Sequence, residues 1–230
     1  MKNYPTLYGS PLLAPASVQP LLRDPTLHWK KGRSAYEGAH TWVTANLQTP
    51  GGWPEEVREL LASSPDWATA EVVTGFFEHA TALDTAQRPT NSDLMIVAKT
   101  QSTLGVIAVE AKAGEPFGDT ITAWNTSPGR NNRLEWACNL FGVDPHSCGP
   151  LRWQLFHRTA AALLEAKRFL APNAIMLVHD FAAEPCWVDD YRAFAQALSF
   201  SEAGVDRLSG PRVIEGVSLQ LGWVRGSHHG

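Results

Sequence analysis

An α/β fold with a mixed central sheet flanked by helices is predicted by three features of this 230-residue chain. Two apolar runs of strand length, Asp93–Lys99 and Gly105–Lys112, are separated only by the polar stretch 100–103, which reads as a buried β-hairpin. A β-branched and aromatic stretch, Ala70–His79, precedes the hairpin. A long amphipathic helix over Leu151–Leu170 follows it and leads into another strand at Asn173–Phe181. With a helix ahead of the first strand, the order is αβββαβ, which layers helices on a sheet.

The remaining elements follow from local chemistry. Prolines 5, 11, 15, 20 and 25 lack backbone donors, so residues 1–32 are expected to form an extended arm. Ser34 and Glu37 make an S-x-x-E capping box for a helix ending near Leu47. Pro54-Glu55-Glu56 starts a short helix through Leu61, its acids at the positive dipole end. Ser127-Pro128 opens a helix over Arg130–Leu140, which Gly142 ends. A helix at Trp187–Leu198 and a last strand at Val213–Val224 complete one domain over residues 33–225, and residues 226–230 are a tail.

Composition narrows the function. With 44% hydrophobic and 18% charged residues, the chain can bury a core and is not disordered. A net charge of -4 supplies no overall basic field for nonspecific nucleic-acid binding. Cys138, Cys148 and Cys186 form neither a C-x-x-C pair nor a secreted framework, so a reducing cytoplasm is expected. No apolar run has membrane-spanning length, and the proline-broken start is unlike a signal peptide. Phosphate-loop, dinucleotide-binding, serine-elbow and H-E-x-x-H motifs are all missing from the sequence.

The chemistry centres on Asp93, near the start of one strand, and Glu110-Ala111-Lys112 at the end of the next. Residues two apart on a strand share a face, so Glu110 and Lys112 point together, and the hairpin can set Asp93 beside them. Two adjacent carboxylates repel unless a cation lies between them, and such hard oxygen donors suit Mg²⁺ or Mn²⁺. The bland alternative is a solvated strand end, but the Glu110 strand is too apolar for an exposed edge.

Asp93 with Glu110-x-Lys112, within an αβββαβ order, resembles the PD-(D/E)XK nuclease superfamily over roughly residues 33–181. The resemblance implies a restriction-endonuclease-like core, a metal held by the acidic pair, a lysine that helps to activate water, and a nucleic-acid substrate, with DNA expected. It also implies a further acid on the preceding helix, where Glu37 stands, and a glutamine on the following helix, where Gln154 stands. Asn91-Ser92 replaces the proline of the family name. The whole chain is also similar to a group of bacterial proteins that carry VEAK, then EPFG and a later QLFHR.

Other residues have competing readings. Glu37 serves equally as a cap. Gln154 and Arg158 lie one helical turn apart and can meet a phosphate or simply pair at the surface. Arg130 and Arg133, near a helix start, are candidates for gripping phosphate. Glu78 is a possible further ligand or a solvated strand end, and Glu115 shapes the pocket or starts a turn. His157 and His179, in apolar segments, read as hydrogen-bonded core residues. The functional alternatives are a catalytically inactive nuclease fold that binds or regulates, and an enzyme on a small phosphorylated substrate recognised by Arg130, Arg133 and Arg158.

Overall fold

A computed structural model describes residues 14–84 and 88–227. Helices α1 (Pro25–His28), α2 (Ser34–Gln48) and α3 (Glu55–Ala62) lead into strands β1 (Glu71–Thr81), β2 (Thr90–Lys99) and β3 (Leu104–Lys112). Then come α4 (Ile121–Trp124), α5 (Pro128–Phe141), α6 (Trp153–Arg168), β4 (Asn173–Asp180) and α7 (Val188–Ala197). The chain closes with β5 (Arg207–Leu208), β6 (Arg212–Ile214) and β7 (Val217–Arg225). The strands form one mixed sheet in the order β1-β2-β3-β4-β7-β5, with β6 also paired to β7. β1, β2 and β3 are antiparallel neighbours, whereas β3, β4 and β7 run parallel.

Alternation along the strands builds two apolar layers. Met95, Val97, Val106, Ala108, Met176 and Val178 face α5, α6 and α7. Leu94, Ile96, Ile107, Val109, Ile175 and Leu177 face the other side, against Trp42 of α2, Val57 and Leu60 of α3, and Trp53 and Trp67. Central strands covered on both faces must be apolar at nearly every position, which is why β3 is a continuous hydrophobic run. Gly105 lets the Trp67 ring lie directly on β3, since a Cβ there would fall inside contact distance of that ring. Gly105→Ala is therefore expected to cost roughly 1–3 kcal/mol by overpacking. Urea unfolding of the variant checks this, and an unchanged midpoint would show that Trp67 moves aside freely.

Three expectations need correction. Within residues 14–32 the arm is not extended: Pro15–Leu21 is a 3₁₀ helix and α1 follows, with Val18 and Leu22 buried, Val18 packing against Ala39 and Val43 of α2. Pro15 and Pro25 sit in the first turns of these helices, where no backbone N–H is required. The rest of the arm, residues 1–13, lies outside the described residues, as do residues 228–230 of the tail. Ser34 does not cap α2: Arg33 holds the cap position, and Ser34 Oγ donates instead to Glu115 at 3.2 Å. The last strand is broken at Glu215 and Gly216, whose positive φ angles of 46° and 82° turn β6 back onto β7.

Candidate active site

The site arises where two neighbouring strands part. The β2–β3 ladder ends at Leu94–Val109. Beyond it β2 stays with β1 as far as Thr90–Thr81, while β3 stays with β4 as far as Lys112–Asp180. Asp93 and Glu110, the next residue on each strand, flank the gap. By alternation Asp93 shares the face of Met95 and Val97, and Glu110 and Lys112 share that of Val106 and Ala108. α6 covers this face, so Gln154 and Arg158, one turn apart on α6, meet the strand residues there.

Glu110 is buried and satisfied on both oxygens. Its Oε1 accepts from Gln154 Nε2 at 2.6 Å and lies 2.9 Å from Lys112 Nζ. Its Oε2 accepts from Arg158 Nε. Lys112 Nζ also donates to Gln154 Oε1 at 3.0 Å, so the amide's orientation is set by the ammonium on one side and the carboxylate on the other. Asp93 Oδ2 accepts from the Ala111 backbone N–H at 2.8 Å, and its Oδ1 is 3.9 Å from Arg158 Nη2. The Arg158 guanidinium thus lies between the two carboxylates.

Burial alone would raise the Glu110 carboxyl, but the charges of Arg158 and Lys112 outweigh it and hold Glu110 below the usual carboxylate range. Asp93 is raised to about 7, first by burial and then by the Glu110 charge. Its side chain keeps 32% of its exposure, directed at the pocket. The fork therefore pairs a firmly ionised acid with one that titrates near neutrality.

The carboxylates open onto a pocket of about 360 Å³ bounded by Leu22, Arg23, His28, Arg33, Glu78 and Glu115, among others. The cationic wall from Arg23 to Arg33 was missed in the sequence, where its one signal is the basic run Lys30-Lys31-x-Arg33. Glu78 is no strand end: β1 continues to Thr81, and Glu78, with φ 52°, falls between the pairs Phe77–Leu94 and His79–Ser92, level with Asp93. Glu115 ties the loop together, accepting from Ala113 N and Ser34 Oγ.

Other candidates land elsewhere. Glu37 is buried and its carboxylate accepts from Gly32 N at 2.8 Å. Among the described residues no three Asp, Glu, His or Cys side chains are grouped so as to hold a metal, so the structure does not bring Glu37 into a site with Asp93 and Glu110. Arg133 is engaged by Asp84 at 3.1 Å and by the Arg88 carbonyl. Arg130 donates to the Trp124 carbonyl and lies over the Trp124 ring.

Thr90, not singled out in the sequence, accepts from Arg158 Nη1 at 2.9 Å and contacts His157 Nδ1 at 2.6 Å. Burial and the adjacent Arg158 charge lower the His157 pKa well below its ordinary value, so the ring is neutral. His179 is fully buried, accepts from Trp42 Nε1 at 3.1 Å and lies 3.0 Å from Glu56 through Nε2, as a core histidine should.

A model described as "Domain of unknown function (DUF6946)" matches residues 11–228. No curated protein and no solved structure matches the chain. No helix among the described residues is long and apolar enough to cross a membrane.

Proposed function

Given that the chain belongs to the DUF6946 family, we propose from its site that it is a metal-dependent phosphodiesterase of PD-(D/E)XK type, acting on nucleic acid and most readily on DNA. One observation carries the reading: Asp93, Glu110, Lys112 and Gln154, from β2, β3 and α6, converge at one strand fork that opens to solvent.

The donor set fits Mg²⁺ or Mn²⁺. Mg²⁺ is commonly held by one or two carboxylates together with water and substrate phosphate; the position between the two acids is taken by Arg158, so an ion held by Asp93 and Glu110 would displace its guanidinium. Asp93 and Glu110 would hold the ion, which when bound supplies neutralisation of charge on the scissile phosphate. Lys112, oriented by Glu110 and Gln154, holds the attacking water by hydrogen bonding and stabilises developing negative charge. Gln154 keeps the ammonium in place rather than touching the reacting atoms.

Calorimetric titration with Mn²⁺, on wild type and Asp93→Ala, tests the ligand assignment, alongside cleavage of labelled DNA. Binding in wild type alone, with metal-dependent cutting, is the expected result; no binding with or without nucleic acid rejects the proposal. Because Asp93 must lose its proton to ligate, affinity should rise about tenfold per pH unit up to about 7 and level off above. A flat profile between about pH 5.5 and 8 would remove Asp93 from the ligand set. The same upward shift makes the native fold bind a proton that the unfolded chain has released. Asp93 therefore lowers stability as pH rises from ~4 to about 7.

A second reading, a binding protein on a nuclease fold without turnover, is favoured by the compensation of Glu110 by Arg158 and Lys112 without any metal. Nucleic-acid binding with no Mn²⁺ binding would select it.

A further inference from the structure

Two pockets meet at Lys112 and Gln154, and their walls differ in chemistry. The first is lined by the acids Asp93, Glu110, Glu78 and Glu115 and by Arg23, His28 and Arg33 of the N-terminal segment. The second, of about 390 Å³, is lined by Phe117, Trp124, Trp153 and His157, with the exposed Asp119 as its one acid. Half-buried Trp124 is stacked on buried Trp153 with centroids 4.0 Å apart, and the Arg130 guanidinium lies 5.6 Å from the Trp124 centroid.

The N-terminal wall is locally basic in an acidic protein. Residues 22–33 contain Arg23, Lys30, Lys31 and Arg33 against Asp24 alone, and Asp24 is occupied capping α1 through Leu27 N and Thr26 Oγ1. Among the described residues, neither Arg23 nor Arg33 has an ion-pair partner. Exposed cations left unpaired beside a carboxylate pocket are placed to receive another anion, and phosphates of a substrate backbone are such anions.

We propose that the two pockets form one groove for a single nucleic-acid strand, its phosphates along Arg23 and Arg33 and an unpaired base packed beside Phe117, Trp124 and Trp153 in the second pocket. The inference rests on the nuclease reading for its substrate class and adds strandedness and the residues that read it. Cations along the backbone with aromatic rings for the bases are the combination used for single strands, because every base offers a π-face. The N-terminal segment walls the carboxylates into a pocket of about 360 Å³. A B-form duplex, with both strands stacked and paired, would have to unpair before a base could reach Trp124.

The test is fluorescence anisotropy of a dye-labelled DNA strand of about twelve nucleotides, and of its blunt duplex, in EDTA so that nothing is cut. The single strand is expected to bind about tenfold or more tightly than the duplex. Arg23→Glu with Arg33→Glu should weaken it about tenfold and flatten its salt dependence, as two lost phosphate contacts require. Trp124→Ala should weaken binding about tenfold without altering the salt slope, and Trp124→Phe, which keeps a ring, should restore most of it. Equal affinity for the duplex overturns the proposal, as does unchanged affinity in folded Arg23→Glu/Arg33→Glu and Trp124→Ala proteins. Strand binding with the expected variant pattern but no cutting in Mg²⁺ or Mn²⁺ supports the groove and retires the nuclease reading.

Discussion

Lys112→Met is expected to lower metal-dependent cleavage by ~10²–10⁴-fold while leaving the fold intact, the range typical of removing a group that handles a proton or charge in the transition state. The fold should tolerate the change because Glu110 keeps two donors, Arg158 and Gln154, so no buried charge is stranded. The methionine stem can still lie near Phe117, over which the Lys112 ammonium sits 5.2 Å from the ring centroid. Single-turnover cleavage in Mn²⁺, with circular dichroism and strand affinity measured on the same preparation, separates chemistry from binding. Wild-type rates in the variant would show that the Glu110-x-Lys112 pair is not the reacting centre.

Arg158→Ala should destabilise the protein by about 3–5 kcal/mol, the cost typical of breaking a buried ion pair from one side. Arg158 is buried, and its guanidinium is the main charge holding the Glu110 carboxyl ionised. Its removal also takes the donor from Thr90 and the cation from between Asp93 and Glu110. Lys112 then faces the buried acid with only Gln154 to help. A divalent ion can replace the missing charge, so Mn²⁺ at a hundredfold excess over its Kd should recover up to about 2.7 kcal/mol. Urea unfolding with and without Mn²⁺ reads both effects. A variant as stable as wild type, or one that Mn²⁺ does not stabilise, would mean that the space between the acids is not a cation position.

Much of the scaffold is legible from local patterns. The hairpin of β2 and β3 follows from two apolar runs and a four-residue polar break, and its register places Glu110 and Lys112 on one face by simple alternation. α5 begins at Ser127-Pro128 and ends at Gly142, whose φ of 67° a side chain would resist. The start of α2 was harder to read. Its capping-box signature is present, but Glu115, far along the chain, takes the Ser34 hydroxyl, and Glu37 turns to Gly32. A local motif loses when a distant acid offers the same hydroxyl a charge-assisted bond.

The sequence by itself determined that the β2–β3 hairpin is buried and that Glu110 and Lys112 share a side of the sheet, because side-chain periodicity is a property of the backbone, while the register of the hairpin put Asp93 on that side. Only the tertiary structure decided what lies against that side. The packing of α6 sets Arg158 between the acids, Asp84 draws Arg133 to itself, and the proline-bearing N-terminal segment coils into short helices that bring Arg23 and Arg33 to the pocket. Those outcomes depend on which distant groups meet and which charge outcompetes another, and no periodicity along the chain encodes a competition between residues far apart in it.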